Sequence, residues 1–304
     1  MDIDLIHPSL RDRTRRAPKL NLENRFVLTL VSTGSSLLRG KRVEGVERRV
    51  VREGDLRLRV YVPPRPTGAG LLWIHGGGLV LGAAAMDDTF CGQTARDLGV
   101  TIVSVDYRLA PKHPFPAAID DARAGWGWML RHAADLGLDL DRLAVGGQSA
   151  GGGLAASLVQ RLHDEGERVA AQWLFCPMLD DRTAADRARD AEAHFVWSNR
   201  SNLVGWTSYL GGAPGADDLP PYAAAARRTD LSGLPPTWLY TSDVELFRDE
   251  DLDYARRLEA AGVDVTLDVV PGVPHGFEAW AADAVLATDL VSRARAWLGG
   301  RLTA

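Results

Sequence analysis

Four continuous apolar runs of strand length, GLLWIH, VTIVSVDY, LAVGG and AQWLFC, recur between residues 70 and 176. A strand with one face in water alternates apolar and polar residues. A run that is apolar at every position fits a strand covered on both faces, as in a parallel sheet between two layers of helices. PTWLYTS (Pro236 to Ser242) and VDVTLDVV (Val263 to Val270) are two later strand candidates. Helical stretches lie between the runs: AIDDARAGWGWMLRHAADLG, GGLAASLVQRLHDEG and EDLDYARRLEAAG. The last has Leu252, Ala255 and Leu258 at helical spacing and stops at Gly262. Upstream, VERRVVRE and LRLRVYV (Leu56 to Val62) alternate apolar with charged residues, which suits half-exposed antiparallel strands at a sheet edge. Strand and helix in turn imply an α/β fold, a mostly parallel twisted sheet flanked by helices.

Two regions break this rhythm. Residues 1–45 read as helix and loop, and residues 180 to about 226 mix acidic loops with HFVWSNRSNLVGWTSYLGG and a proline-rich PGADDLPPY. Both are expected to cover the carboxyl edge of the sheet, where open α/β sheets bind ligands.

Composition narrows the function classes. A 304-residue chain, 46% hydrophobic and 25% charged, supports a large core, and a formal charge of −5 argues against nucleic acid as a partner. The basic run LRDRTRRAPK (Leu10 to Lys19) is interrupted by Asp12 and reads as a solvated helix face. Cys91 and Cys176 read as small core residues rather than a disulfide framework, which favours a reducing compartment. The amino terminus has no signal-peptide pattern, and no apolar run is long enough to span a bilayer. A cytoplasmic protein without stable membrane insertion is expected.

The chemistry centres on LAVGGQSAGGGLAASL, in which Gly147-Gln148-Ser149-Ala150-Gly151 stands between a strand and a helix. With 31 glycines in the chain, G-x-S-x-G alone would arise by chance in roughly one such sequence in seven, so the strand–turn–helix context carries the inference. A sharp turn there lifts the serine oxygen clear of the sheet, and the glycines remove Cβ atoms that would collide with neighbouring backbone. A serine hydroxyl needs a base. Of the seven histidines, only His275, in VPGVPHGFEAW, lies beyond the last candidate strand. An acid should orient it from the loop after PTWLYTS, where Asp243, Glu245, Asp249 and Glu250 are the candidates; two of the four are expected to serve as helix caps or dipole charges. An oxyanion needs preorganised N–H donors. WIHGGGLVLG, one strand–helix unit before the serine turn, offers the amides of Gly77 and Gly78, to which Ala150 adds its own; His75 and Gly76 support that loop. There is no H-E-x-x-H, C-x-x-C or clustered His/Cys spacing for a metal. GSSLLRGKR fails as a P-loop because its glycines are one residue too far apart and Arg42 replaces the Ser/Thr, and no G-x-G-x-x-G follows a strand.

Over about residues 46 to 300 the chain resembles the hormone-sensitive-lipase-like branch of the α/β-hydrolases, the bacterial family IV esterases. HGGG at 75–78, VDYRLAPKHPFPAAIDD at 105–121, GGQSAGG at 146–152 and HGF at 275–277 carry the resemblance. The block at 105–121 is the most characteristic, and it is expected to brace the floor of the site. The resemblance implies an α/β-hydrolase fold over 46–304 with a helical cap from 1–45 and about 180–226. It also implies a serine carboxylesterase acting on short- to medium-chain esters, with neither metal nor organic cofactor. Two departures stand out. Gln148 replaces the family's usual Asp, and its side chain is expected to point away from the reacting centre. ELFRDED replaces the usual D-P-L-R-D-E; aligning Arg248-Asp249-Glu250 puts Glu245 in the acid's position, 30 residues before His275, with Asp243 as the alternative. Phe26, Trp197 and Trp206 are expected either to line the pocket or to form cap core. The partner is a small-molecule ester, and a homodimer is admitted. A non-catalytic ligand receptor on the same scaffold, as in plant hormone receptors that lack the histidine, is the competing reading, along with amidase or acyltransferase chemistry from the same residues.

Overall fold

The computed structural model describes residues 1–17 and 22–303. Eight strands form one sheet: β1 (Glu47–Glu53), β2 (Leu56–Val62), β3 (Gly70–Ile74), β4 (Thr101–Val105), β5 (Leu143–Gln148), β6 (Ala171–Phe175), β7 (Thr237–Thr241) and β8 (Val265–Val269). Their spatial order is β1-β2-β4-β3-β5-β6-β7-β8. The charged, alternating β2 pairs antiparallel with both β1 and β4, and every pairing from β4 to β8 is parallel. The apolar runs therefore occupy the centre of the sheet. The turn after β3 and the serine turn after β5 are two strand–helix units apart in sequence rather than one, yet β3 and β5 are hydrogen-bonded neighbours.

Alternate side chains of each strand point to opposite faces, so the central strands feed two cores. Leu72, Ile74, Val103 and Val145 join the core built with α4 (Ala117–Arg131), α6 (Ala150–Asp164) and α9 (Arg248–Ala260). Leu71, Trp73, Trp173, Phe175, Trp238 and Tyr240 join the other, under α3 (Asp88–Leu98) and α11 (Val285–Leu302). On that face Trp173 and Phe175 meet edge-on, with centroids 4.6 Å apart. The helix expected to run through His132 breaks there into α4 and the short α5 (Ala133–Leu136). The helix α9 ends as expected, at Ala261 with Gly262 following at φ +81°.

Described parts of both regions outside the strand–helix rhythm reach loops at strand carboxyl ends, His7 at Gly272 after β8 and Trp197 at Gly78 after β3, whereas Tyr222 of the second reaches Asp164 at the end of α6. The first contributes α1 (Arg11–Arg16) and α2 (Arg25–Leu37). It is tied down by the His7 amide on Gly272 O (2.8 Å), a paired Arg13–Asp283 contact and the Gly82 amide on Ser35 Oγ (3.0 Å). Within the basic run, Arg15 and Arg13 lie on exposed surface, whereas Pro18 and Lys19 lie outside the described residues. The second region contributes α7 (Asp181–Ala185) and α8 (Asn199–Leu210), the latter capped by Ser198 and ended by Gly211 at φ +68°. A last short helix, α10 (Phe277–Trp280), follows the His275 loop. Among the described residues no helix is long and apolar enough to cross a membrane. Cys91 and Cys176 are both buried and free.

Candidate active site

Ser149 sits between β5 and α6 at φ +55°, ψ −123°, a conformation a non-glycine residue adopts only at a cost of about 1–3 kcal/mol. The surroundings hold it there. Its amide donates to Phe175 O (2.8 Å), and its carbonyl accepts from the amides of Met178 (2.9 Å) and Gly153 (3.0 Å). A Cβ on Gly151 would come within 2.1 Å of Ile74 O, so α6 could not start this close to β3 with any other residue there.

Four strand ends converge on this point: β3 delivers His75 to Gly78, β5 delivers Ser149, and the loops after β7 and β8 deliver Glu245 and His275. Ser149 Oγ lies 2.7 Å from His275 Nε2, and His275 Nδ1 lies 2.9 Å from Glu245 Oε2. A carboxylate only accepts, so Nδ1 donates to Glu245, and Nε2 is left to accept the serine proton. All three side chains are more than nine-tenths buried. The edge of His275 packs on Phe247 at 5.3 Å, and its carbonyl accepts from Trp280 Nε1 at 2.9 Å. Burial opposes the charged imidazolium, but the charge and hydrogen bond of Glu245, with Glu278 adding, outweigh it and hold the His275 pKa above its ordinary value.

The other candidate acids are used elsewhere. Asp243 Oδ1 accepts from the Gly272 amide at 2.6 Å and so fastens the strand-to-histidine loop. Asp249 and Glu250 stand in the first turn of α9, where negative charge suits the helix dipole. Asp249 pairs with Arg189 on the surface, and the buried Glu250 accepts from the amides of Leu179 and Asp180.

On the opposite side of Ser149, Gly77 and Gly78 adopt φ +119° and +60°. Among the described residues, the amides of Gly77, Gly78 and Ala150 donate to no protein acceptor. Behind them His75 is 1% exposed, bonds Gly76 O through Nδ1 at 2.7 Å and stacks on Tyr107 at 4.3 Å; the Tyr107 hydroxyl in turn donates to His75 O. Tyr107 belongs to the 105–121 block, which also pairs Arg108 with Asp121 (2.7 Å) and sends the Ala110 amide to Leu79 O (3.0 Å). That block thus braces the glycine loop as well as ending β4.

A cavity of about 410 Å³ opens over these groups, lined by Ser149, His275, Gly76 to Gly78 and Trp197 among others. Trp197 lies against Gly78, where a Cβ would come within 2.1 Å of its ring. Trp206 is core of the overlying segment, packed edge-on to Tyr209, and Phe26 is 76% exposed on α2, so Trp197 alone of the three aromatic candidates lines this cavity. Gln148 does not turn away: it lines the cavity, and its Nε2 donates to Glu278 Oε1 at 2.5 Å. Tyr240 also donates to Glu278. Glu278 escaped sequence reasoning because it reads as an ordinary first-turn acid of α10.

Cys176, Glu245 and His275 bring possible metal-ligating atoms within 4.8 Å of one another. They do not form a ligand set for a cation. Burial pushes the Cys176 thiol well above its ordinary pKa, and both ring nitrogens of His275 are engaged.

Comparison with known proteins identifies the family. A family profile described as the alpha/beta hydrolase fold matches residues 71–279. Esterase LipI of Mycobacterium tuberculosis is 34% identical over 79% of this chain and 76% of its own length. Ethyl acetate hydrolase of Pseudomonas putida is 36% identical over 73% and 71%. Among solved structures, one titled bacterial heroin esterase superposes with a TM-score of 0.88 at 36% identity, covering 99% of both chains. The chain belongs to the alpha/beta-hydrolase family, in its hormone-sensitive-lipase-like esterase branch, and is a carboxylic ester hydrolase.

Proposed function

We propose that this protein is a serine carboxylesterase working through an acyl-enzyme. The observation that carries the reading is the unbroken chain Ser149 Oγ–His275 Nε2–Glu245 Oε2, with links of 2.7 and 2.9 Å. Ser149 Oγ attacks the ester carbonyl while His275 Nε2 takes its proton, and Glu245 holds the ring and stabilises the imidazolium. The amides of Gly77, Gly78 and Ala150 receive the oxyanion, with His75 and Gly76 as loop supports. His275 returns the proton to the departing alkoxide. Water, deprotonated by the same nitrogen, then attacks the acyl-serine and regenerates the hydroxyl. No metal or organic cofactor takes part in these steps.

Residues 1–45 and about 180–226 act as the cap, and through Leu22 and Val196 to Ser201 they shape a pocket for short- to medium-chain acyl groups. The small cavity over Ser149 supports that size class. A cytoplasmic setting fits two buried free thiols.

Hydrolysis of p-nitrophenyl esters from acetate to palmitate tests both parts. Wild type is expected to turn over acetate to octanoate and to lose kcat/KM on longer chains, and Ser149→Ala to lose turnover by about 10⁴-fold or more. Turnover that persists in Ser149→Ala refutes the serine mechanism. Product analysis with methanol or an amine added as competing acceptor separates hydrolysis from acyl transfer.

A further inference from the structure

A second and larger cavity, about 710 Å³, lies between α3 and α11 on the far side of Gln148. It shares Met86, Asp87, Gln148 and Ala279 with the walls of the cavity over Ser149. Trp73, Phe90, Phe175, Ala282, Ala287 and Val291 give it an apolar and strongly aromatic lining. A volume of this size suits a drug-sized organic group rather than a few waters.

Asp87 stands at the shared wall. Its Oδ2 accepts from Trp73 Nε1 at 2.7 Å, and its Oδ1 has no hydrogen-bond or ion-pair partner among the described residues. The adjacent Asp88 is a contrast: Arg48 (2.5 Å), Arg59 (3.4 Å) and the Tyr61 hydroxyl (2.6 Å) all reach it. Arg39, Lys41 and Arg295 also line the larger cavity, but none is within ion-pairing distance of Asp87, and Arg295 is held by Asp97 at 2.9 Å. The ionisable groups that act on Asp87 most directly are His75, behind the glycine loop, and Asp88. Burial pushes the Asp87 carboxyl pKa up, the Trp73 bond and His75 only partly opposing it. A half-buried carboxylate without a counter-charge is costly, and a cation beside aromatic faces lowers that cost while gaining cation–π attraction.

We propose that Asp87 is a specificity residue that anchors a cationic amine of the ester substrate, with the apolar body carrying the amine housed between α3 and α11. The proposal rests on Ser149 as nucleophile, because Asp87 and Ser149 line the same cavity and one molecule would present its ammonium to the first and its carbonyl to the second. It assigns a substrate class, amine-bearing esters, which the triad leaves open.

Matched p-nitrophenyl esters test it: ω-aminohexanoyl against heptanoyl, which replaces the ammonium by a methyl group. Wild type is expected to favour the amine in kcat/KM by about tenfold or more, mainly through KM, and Asp87→Asn to abolish that preference. Asn keeps an acceptor for Trp73 and removes only the charge. Val291→Trp, which fills the larger cavity, is expected to depress the N-benzyl derivative of the amino ester relative to the unsubstituted amino ester by about tenfold. Calorimetric binding of benzylammonium to wild type and Asp87→Asn gives a readout independent of turnover, with affinity expected to drop about tenfold in the variant. A preference or affinity unchanged by Asp87→Asn, or no selective effect of Val291→Trp, overturns the proposal. Failure of wild type to hydrolyse p-nitrophenyl acetate would instead count against the esterase mechanism, and the binding arm would still decide the role of Asp87.

Discussion

Gln148, the residue before the elbow serine, and Glu278, three residues beyond His275, are joined by a hydrogen bond of 2.5 Å across 130 residues of sequence. The bond links the turn that carries Ser149 to the loop that carries His275, and Tyr240 holds the same carboxylate from below. Glu278 is 5% exposed, so its charge acts on His275 through little intervening water.

The first consequence is a pH profile. Only neutral His275 can take the serine proton, so kcat/KM should rise with pH through the His275 pKa. That acid limb is expected above the ordinary imidazole value of 6.5, because the carboxylates favour the charged ring despite burial. Glu278→Gln removes one of those charges and should move the limb to lower pH. A limb that moves upward, or a flat profile from pH 5 to 8, would contradict His275 as base.

The two acids of the β7 loop should separate cleanly. Glu245→Gln leaves the ring with a partner of the wrong hydrogen-bonding character and is expected to lower kcat by about 10³–10⁴-fold. Asp243→Asn loosens only the anchor on the Gly272 amide, 2.6 Å away, and should cost about tenfold or less, with a lower Tm. Kinetics and thermal melts of both variants check this; equal losses would remove Glu245 from its proposed role.

Gly78 and Trp197 form a steric pair. A methyl group on Gly78 would overlap the indole ring, and its φ of +60° disfavours any side chain. Gly78→Ala is therefore expected to displace the glycine loop and lower kcat/KM by about 10²-fold, the cost of one mispositioned oxyanion donor. Pairing it with Trp197→Ala relieves the clash but not the backbone strain, so activity should recover in part. Full recovery would show that the strain is unimportant.

Asp251 offers a stability test remote from the chemistry. It is fully buried in α9, and burial, reinforced by the charge of Glu250, pushes its carboxyl well above the ordinary range. As pH climbs past about 4 the unfolded chain ionises this group while the native state resists, so native stability declines from there toward the raised native pKa. Asp251→Asn has no proton to lose. Its Tm relative to wild type should improve steadily from pH 5 to pH 8; a pH-independent difference would mean that the buried carboxyl titrates normally.

How far the sequence reached is clearest residue by residue. The apolar runs determined a central parallel sheet, because a strand buried on both faces cannot carry polar residues at alternate positions. The elbow, the glycine loop and His275 were legible because each requires special residues at a strand end, and the order of those ends along the chain is fixed by how an α/β sheet is wound. Glu245 over Asp243 needed a family alignment, since both acids lie in one loop and local sequence gives either the reach. What only tertiary structure decided was which side chains share a wall. Gln148 meets Glu278, Asp87 stands with one oxygen unpartnered beside Ser149's cavity, and Trp197 rather than Phe26 or Trp206 covers Gly78. Those contacts join segments tens to more than a hundred residues apart. Their identity depends on the crossing of packed elements, which no local periodicity encodes.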